Sequence, residues 1–527
     1  MIRRFIAAIL IAALSFGAAV YLMFTGRMDL ADIREFFQYN PMFTGSGESR
    51  TVTVTGTNQI NLEITSFALP AISDGFASGG GAIAERERDI LVLSRTGALY
   101  RFADGAVSPL QAKIETNNAA YEAYAESQGF SAKPGTNIGY AGLGMRAHDL
   151  LLMADGTLLS SFTFWKTEEH CAVLKVARLS GDRWIDLFET TPCIGLSENK
   201  AKPFAGHQAG GRLVEIAPGK VLFSTGDFKH DGSRREAIVD DPAVDYGKIH
   251  LLDIAARTKT LYSHGHRNPQ GLLQDSQGLV WSTEHGPIGG DELNLIHPGR
   301  DYGWPNATLG RDCMTCDWQQ DGRHEGYEQP VFAWVPSIGS SNLIEVRRFA
   351  KAWDGDLLVA SLKGEALHRL RIHDRRVQVD EPIAIGDRIR DIAQLADHRI
   401  ALWTDSGHLM FIRALTEPSP AEALLAGYPE PVRALAQDCL ACHSFDSGRP
   451  RVGAIGLWGV AGRAKAGTDF ADYSPALIGA GGVWDGAALD AFLADPQGAV
   501  PGTAMAYAGI KDAALRAELI RFLNALK

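Results

Sequence analysis

Six stretches of the chain repeat one arrangement of apolar and polar positions. They are "DILVLSRTGALYRF", "DLLLMADGTLLSSFTF", "RLVEIAPGKVLFSTGD", "GLLQDSQGLVWSTEHG", "DGDLLVASLKGEALHRL" and "DIAQLADHRIALWTDSGHLMFI". Each holds two short β-prone runs, and most separate them with a Gly, Asp or Ser turn. They begin near residues 89, 149, 212, 271, 354 and 391, mostly about 60 residues apart with one longer interval. Similar hairpins at such spacing predict a six-bladed β-propeller, one small antiparallel sheet per blade, over residues 61–413. An array of β-sandwiches is the alternative, but it gives no reason for six alike hairpins.

The pattern changes towards both ends. Residues 414–427 mix Pro with Ala and charge and read as a linker. From 428 to 527 the stretches are Ala-rich and helical: "DGAALDAFLADP" offers Asp485 as an N-cap, and "KDAALRAELIRFLNALK" is amphipathic at helical spacing. This part is expected to be a small all-α domain. At the other end, Arg3 and Arg4 precede an uncharged, mostly apolar run from Phe5 to Phe24. Twenty helical residues cover about 30 Å, enough for a bilayer core. The expectation is an N-terminal transmembrane helix over residues 1–27, then a lead-in over 28–60. The basic residues on the short side put that side in the cytoplasm of a bacterial inner membrane and the bulk of the chain in the periplasm. A cleaved signal peptide is the rival, since "FGAA" supplies small residues; the bulky "VYLMF" that follows favours a retained anchor.

Composition narrows the classes. A chain of 527 residues calls for two or three folded units, and 46% hydrophobic with 21% charged residues is a globular composition. A formal net charge of -11 argues against nucleic acid as a partner. Of six cysteines, Cys171, Cys193, Cys313 and Cys316 are disulfide candidates in an exported chain. "CMTC" at 313–316 could also be half a zinc site, though no second pair stands near it.

The other two cysteines lie in "CLACH": Cys439, Cys442 and His443. C-x-x-C-H attaches a c-type haem, the thiols adding to the vinyl groups and the histidine ligating iron. "CLACH", "GLWGVAGRAKAG", "YSPAL" and "PGTAM" together resemble a class I cytochrome c, and the resemblance implies Met505 as the distal ligand. His/Met ligation suits an electron acceptor, which would pass electrons to a soluble cytochrome or the respiratory chain.

A covalent haem alone only conducts, so the propeller should supply electrons. "GHRNPQGL", "EHGPIGGDELNLI", "DYGWP", "GRLVEIAPGKVLFSTGD", "SLKGEALHRL" and "RIRDIAQLADHRIALWTDSG" resemble the soluble aldose sugar dehydrogenases that use pyrroloquinoline quinone (PQQ). The resemblance implies His207 as the general base and Asp227 as the carboxylate that orients it. It implies Arg267, Asn268 and Gln270 against the quinone, and Lys363, Arg388 and Arg390 against its carboxylates. It implies a calcium ion on the carbonyls of Gly286 and Pro287, and a second, structural calcium at Glu292 and Tyr302.

The residue chemistry agrees. PQQ is a planar tricarboxylate, so its pocket needs cations, and Arg binds carboxylates bidentately. Calcium takes carbonyl and carboxylate oxygens, which "HGP" and "GDE" offer. Losing hydride from an alcohol carbon needs a base for the hydroxyl proton, a role His fills near neutral pH. The chain also departs from the family: "GHQAGGRLV" is one residue longer than usual, the glutamine after the "GD" turn is missing, and "YAGLG" puts Tyr140 or Ala141 at a polar contact. The reading is an anchored dehydrogenase oxidising an aldose or related alcohol, with PQQ, calcium and haem c. The alternative is a non-catalytic propeller that binds a sugar or redox partner.

Overall fold

Six antiparallel sheets follow one another around a closed ring. The computed structural model describes residues 50–69, 72, 80–130, 145–196, 206–230, 238–311, 322–415, 420–440, 443–445, 455–468, 470, 473–505 and 507–526. Residues 1–27, expected to form the anchor, lie outside these, and no helix among the described residues is long and apolar enough to cross a membrane. Cys313, Cys316, Tyr140 and Ala141 also lie outside them.

Blades 1 to 5 occupy residues 82–113, 147–195, 210–264, 269–334 and 340–384. Blade 6 joins Ile389–Gln394, Ile400–Thr404 and His408–Leu415 to two strands from the start of the chain, Asn61–Ala68 and Arg50–Gly56. The register from Asn61↔Leu415 to Ala68↔His408 seals the ring with pairings that span most of the propeller sequence. The repeat seen in sequence is the first and second strands in four blades, but the second and third in blades 1 and 5. That shift, and the long connection between Asp291–Ile296 and Phe332–Trp334 in blade 4, account for the one long interval.

Each blade is buried on both faces. In Lys220–Thr225, Val221 and Phe223 pack with Leu159 and Leu174 of blade 2, while Leu222 packs with Leu272 and Val280 of blade 4. Alternate side chains of a strand point to opposite faces, so two buried faces make a continuous apolar run. Six such clusters, one per blade interface, form the core of the ring.

At the axis one guanidinium ties the first strands together. Arg212 donates to Asp149 Oδ1 and Asp391 Oδ1 (both 2.9 Å), to the Gln270 carbonyl (2.7 Å) and to the Arg390 carbonyl (2.9 Å). Asp391 also accepts from the Ile83 amide and the Asn342 side chain. Together these residues represent all six blades. The first strands all start at the same end of the ring, called the mouth below; the second strands end there and the third strands start there.

Cys171 and Cys193 form a disulfide that closes a 22-residue separation in blade 2. In the C-terminal part, helices Glu430–Leu440, Pro475–Ala480, Gly486–Ala494 and Ala513–Ala525 surround a core that includes Trp484, Phe492, Leu519 and Phe522. Asp485 caps Gly486–Ala494 through the Ala488 amide. The linker is shorter than expected: Pro420–Leu425 is helical, and Ala421 and Leu425 belong to this second core, which leaves residues 416–419 between the two units.

Candidate active site

The turns at the mouth of blades 3 and 4 carry the densest polar cluster. His207 and Gln208 precede the first strand of blade 3, and Asp227 follows the second. The two turns lie close: Gly226 N donates to the Ala209 carbonyl and Phe228 N to the Gln208 carbonyl. A Cβ on Gly226 would collide with that Gln208 oxygen, so glycine is needed at this crossing.

Asp227 is fully buried. Its carboxylate accepts from the Trp304 indole (2.8 Å) and the Lys229 amide (2.8 Å). With the Gln208 amide turned to satisfy both neighbours, its nitrogen donates to Asp227 (2.6 Å) and its oxygen accepts from Arg267 Nη2 (2.7 Å). Asp227 thus holds Trp304, Gln208 and Lys229, and the Lys229 ammonium stands 3.4 Å from Nδ1 of His207, the base that Asp227 is expected to orient. Arg267 donates through Nη1 to the carbonyls of His285 (3.1 Å) and Gly286 (2.7 Å), and its guanidinium lies 5.2 Å from the Trp304 ring centre. Asn268 Oδ1 accepts from the Gly210 amide and from Gln270 Nε2, so these two side chains bind blade 3 to blade 4.

A cavity of about 20 Å³ opens beside Arg267, and Gly286, Glu292, Tyr302, Trp304 and Glu284 are among its walls. Glu284 and Glu292 are buried and share the Asn294 amide, at 2.6 and 3.1 Å. Burial pushes the Glu284 carboxyl up, but His266, the Arg267 amide and Asn294 more than offset it and hold it below its usual range. Burial raises Glu292, and Glu284 adds to the rise. Tyr302 stacks on His266, and its hydroxyl is committed to the Leu295 carbonyl and the His297 amide, which leaves its main chain to serve any ion.

Across the axis, Arg388 and Arg390 both pair with the buried carboxylate of Asp405. They lie on one side of the strand, as alternation requires. Burial, then Arg390 and Arg95, push the Arg146 guanidinium down to about 9. Lys363 is exposed in the mouth turn of blade 5, and its ammonium has no polar partner among the described residues. The mouth therefore gathers more cations than anions from blades 1, 2, 5 and 6.

The "Glucose / Sorbosone dehydrogenase" family model matches residues 86–413. The chain belongs to this family.

An uncharacterised protein of Synechocystis sp. is 27% identical over 398 residues, 70% of this chain and 90% of that one. The aldose sugar dehydrogenase YliI of Escherichia coli is 28% identical over 243 residues, 43% of this chain and 65% of that one. The crystal structure of the soluble aldose sugar dehydrogenase from Escherichia coli in the apo-form shares the fold, with a TM-score of 0.52 at 21% identity, covering 70% of this chain and all of that one. A cytochrome c homolog of Bradyrhizobium diazoefficiens is 40% identical over 130 residues, 24% of this chain and 71% of that one. The propeller thus carries a C-terminal cytochrome c homologue.

In that homologue His443 Nδ1 lies 2.9 Å from the Ile455 carbonyl, a contact that orients the ring. Cys439 and Met505 pack against the domain core, while Cys442 lies outside the described residues. These residues suit a covalent haem.

The propeller mouth suits its expected groups on the same footing. Among the described residues no three His, Cys, Asp or Glu side chains cluster as a metal site. Asn294 Oδ1, however, is buried with no hydrogen-bond partner, on the amide whose nitrogen binds the buried carboxylates of Glu284 and Glu292, and such oxygens are the donors a hard cation takes. The excess of cations around Arg146 and Arg390 suits a polycarboxylate.

Sequence reasoning passed over Gln208, Lys229, Glu284, Asn294 and Arg212. Arg212 and Asn294 stood inside quoted motifs, "GGRLV" and "DELN". Nothing in sequence marked Lys229, whose neighbour His207 comes from another turn, whereas Glu284 and Asn294 meet across one hairpin within "EHGPIGGDELNLI".

Proposed function

We propose that the chain is a quinohaemoprotein dehydrogenase that oxidises an aldose, or a related alcohol, in the propeller mouth and passes the electrons to haem c. The observation that carries this reading is the meeting of His207, Asp227, Arg267 and Trp304 at the mouth of a glucose/sorbosone dehydrogenase propeller that is fused to a cytochrome c homologue. Bound PQQ would supply a two-electron hydride acceptor, calcium would polarise it as a Lewis acid, and haem c would supply one-electron transfer.

The protein's own groups do the rest. His207, half-buried at the mouth, takes the hydroxyl proton while hydride leaves the same carbon. Asp227 acts through Gln208 and Trp304, holding Arg267 in place against the acceptor. Lys363, Arg388, Arg390 and Arg146 give carboxylates a cationic wall. The carbonyls of Gly286 and Pro287 would face the catalytic calcium, which requires Arg267 to release Gly286. Glu284, Glu292 and Asn294 would hold the structural one. Residues 1–27 would anchor the chain to a bacterial inner membrane, with both units in the periplasm, serving a soluble cytochrome or the respiratory chain.

The test is to load the protein with PQQ and calcium and follow the haem absorption as sugars are added. Haem reduction by an aldose is expected, and no reduction across a broad panel of aldoses and alcohols would refute the reading. His207→Ala should slow turnover by roughly 10²–10⁴-fold with the haem spectrum intact.

A further inference from the structure

The chain leaves the propeller at the wrong end for its own haem. His408–Leu415 starts at the mouth, where His408 meets Asp387 beside Arg388, and runs to Leu415, paired with Asn61 at the opposite face. Eight residues of strand put Leu415 about 24 Å below the mouth at roughly 3.4 Å per residue. Residues 416–419 follow, and from Pro420 the chain is part of the cytochrome unit. The five peptide steps from Leu415 to Pro420 reach at most about 18 Å. A unit of this size has a radius of gyration of about 13 Å. The tether is also on blade 6, whereas the cavity with Arg267 and Trp304 is in blade 4, further around the ring. To receive electrons in its own molecule the cytochrome unit would have to climb the outside of blade 6 and cross the mouth on a tether shorter than the climb.

The loop that lines the cavity has an apolar tip. Ile288 is 51% exposed and Val335 is 62% exposed, the highest values among the large apolar side chains of the described propeller residues. They are neighbours: a Cβ on Gly289 would stand 3.7 Å from Val335 Cγ1. Ile288 is two residues from Gly286, so a body seated on this patch covers the rim of the cavity. Ile478 and Val483 give the cytochrome unit exposed apolar surface of its own.

We propose that the Ile288–Val335 patch docks the cytochrome unit of a second copy of this chain, so that electrons leave each mouth for another molecule's haem. This rests on the function proposed above. Each aldose oxidised to its lactone releases two electrons and two protons; two ferric haems become ferrous, one electron each, and the protons go to solvent.

The deciding experiment places a photo-crosslinker in the full chain, as Val335→benzoylphenylalanine. A product of dimer size whose crosslinked peptides fall in residues 420–526 is expected. A crosslink within one chain, migrating as monomer, or no crosslink to that unit, would overturn the proposal. This result does not depend on turnover, and oxidation of an aldose with a soluble dye as acceptor checks the proposed function separately. Second, full chains carrying His207→Ala are mixed with full chains carrying Cys439→Ser and Cys442→Ser. Sugar should reduce the haem of the His207→Ala copies in the mixture. If dye turnover is present and that haem stays oxidised, the electrons do not pass between copies and the proposal fails.

Discussion

Trp304 and Asp227, 77 residues apart, meet through an indole N–H···carboxylate bond of 2.8 Å. It joins the long connection of blade 4 to the turn after the second strand of blade 3. The same tryptophan lies 5.2 Å from the Arg267 guanidinium, so one ring positions both the carboxylate and the guanidinium of this cluster. Trp304→Phe keeps the ring and removes the donor. A buried carboxylate short of a partner costs about 1–3 kcal/mol. The expected outcome is a loss of that size in chemical denaturation, with kcat for sugar oxidation falling more than the haem content. Unchanged kcat would detach Asp227 from the reaction.

Arg212 ties the blades at the axis, and its loss leaves Asp149 and Asp391 buried without their shared cation. Burial already pushes the Asp149 carboxyl up to about 6 against the pull of Arg212. Arg212→Met should therefore destabilise the propeller by roughly 3–5 kcal/mol. Thermal unfolding followed by tryptophan fluorescence measures this, and the cytochrome transition should not move.

Calcium at Glu284, Glu292 and Asn294 would couple to stability. A ligand at a hundred times its Kd adds about 2.7 kcal/mol to the folded state. Chelation should lower the Tm of the wild type by several degrees. Asn294→Ala should start lower and respond less, because it removes the buried amide oxygen that has no other partner.

His250, in the third strand of blade 3, gives a pH dependence away from the mouth. Burial, the largest influence, lowers it to about 4, although the Asp245 carbonyl 2.9 Å from Nε2 and the Asp245 charge pull the other way. Because the folded value lies below the unfolded one of about 6.5, the unfolded chain takes up the proton first as pH falls. Stability is full above about 6.5 and is lost progressively towards 4, by up to roughly 3 kcal/mol from this group. Urea unfolding at pH 7 and pH 4.5 should show a smaller drop for His250→Gln than for the wild type.

The Cys171–Cys193 bridge closes a 22-residue separation, and a loop of that length is worth about 3 kcal/mol on chain entropy. Cys171→Ser with Cys193→Ser should lower the propeller midpoint in denaturant accordingly. A shift within error would mean that the reduced chain keeps this loop ordered.

By itself the sequence determined the local matters. Two apolar runs around a turn, six times over, required six small sheets, since both the strand period and the turn chemistry are written within each hairpin. The helical spacing and Asp485 cap of the C-terminal part were legible for the same reason, as were the motifs that carry His207, Arg267 and Glu292. Only the tertiary structure decided what crosses between segments: that residues 50–68 complete the last blade, that Arg212 and Asp391 together link all six first strands, that the Lys229 ammonium stands near Nδ1 of His207, and that the cytochrome unit is tethered to the face opposite the mouth. Those relations depend on strand direction and ring closure, which bring together residues tens to hundreds of positions apart, and no short-range pattern of apolar and polar residues encodes them.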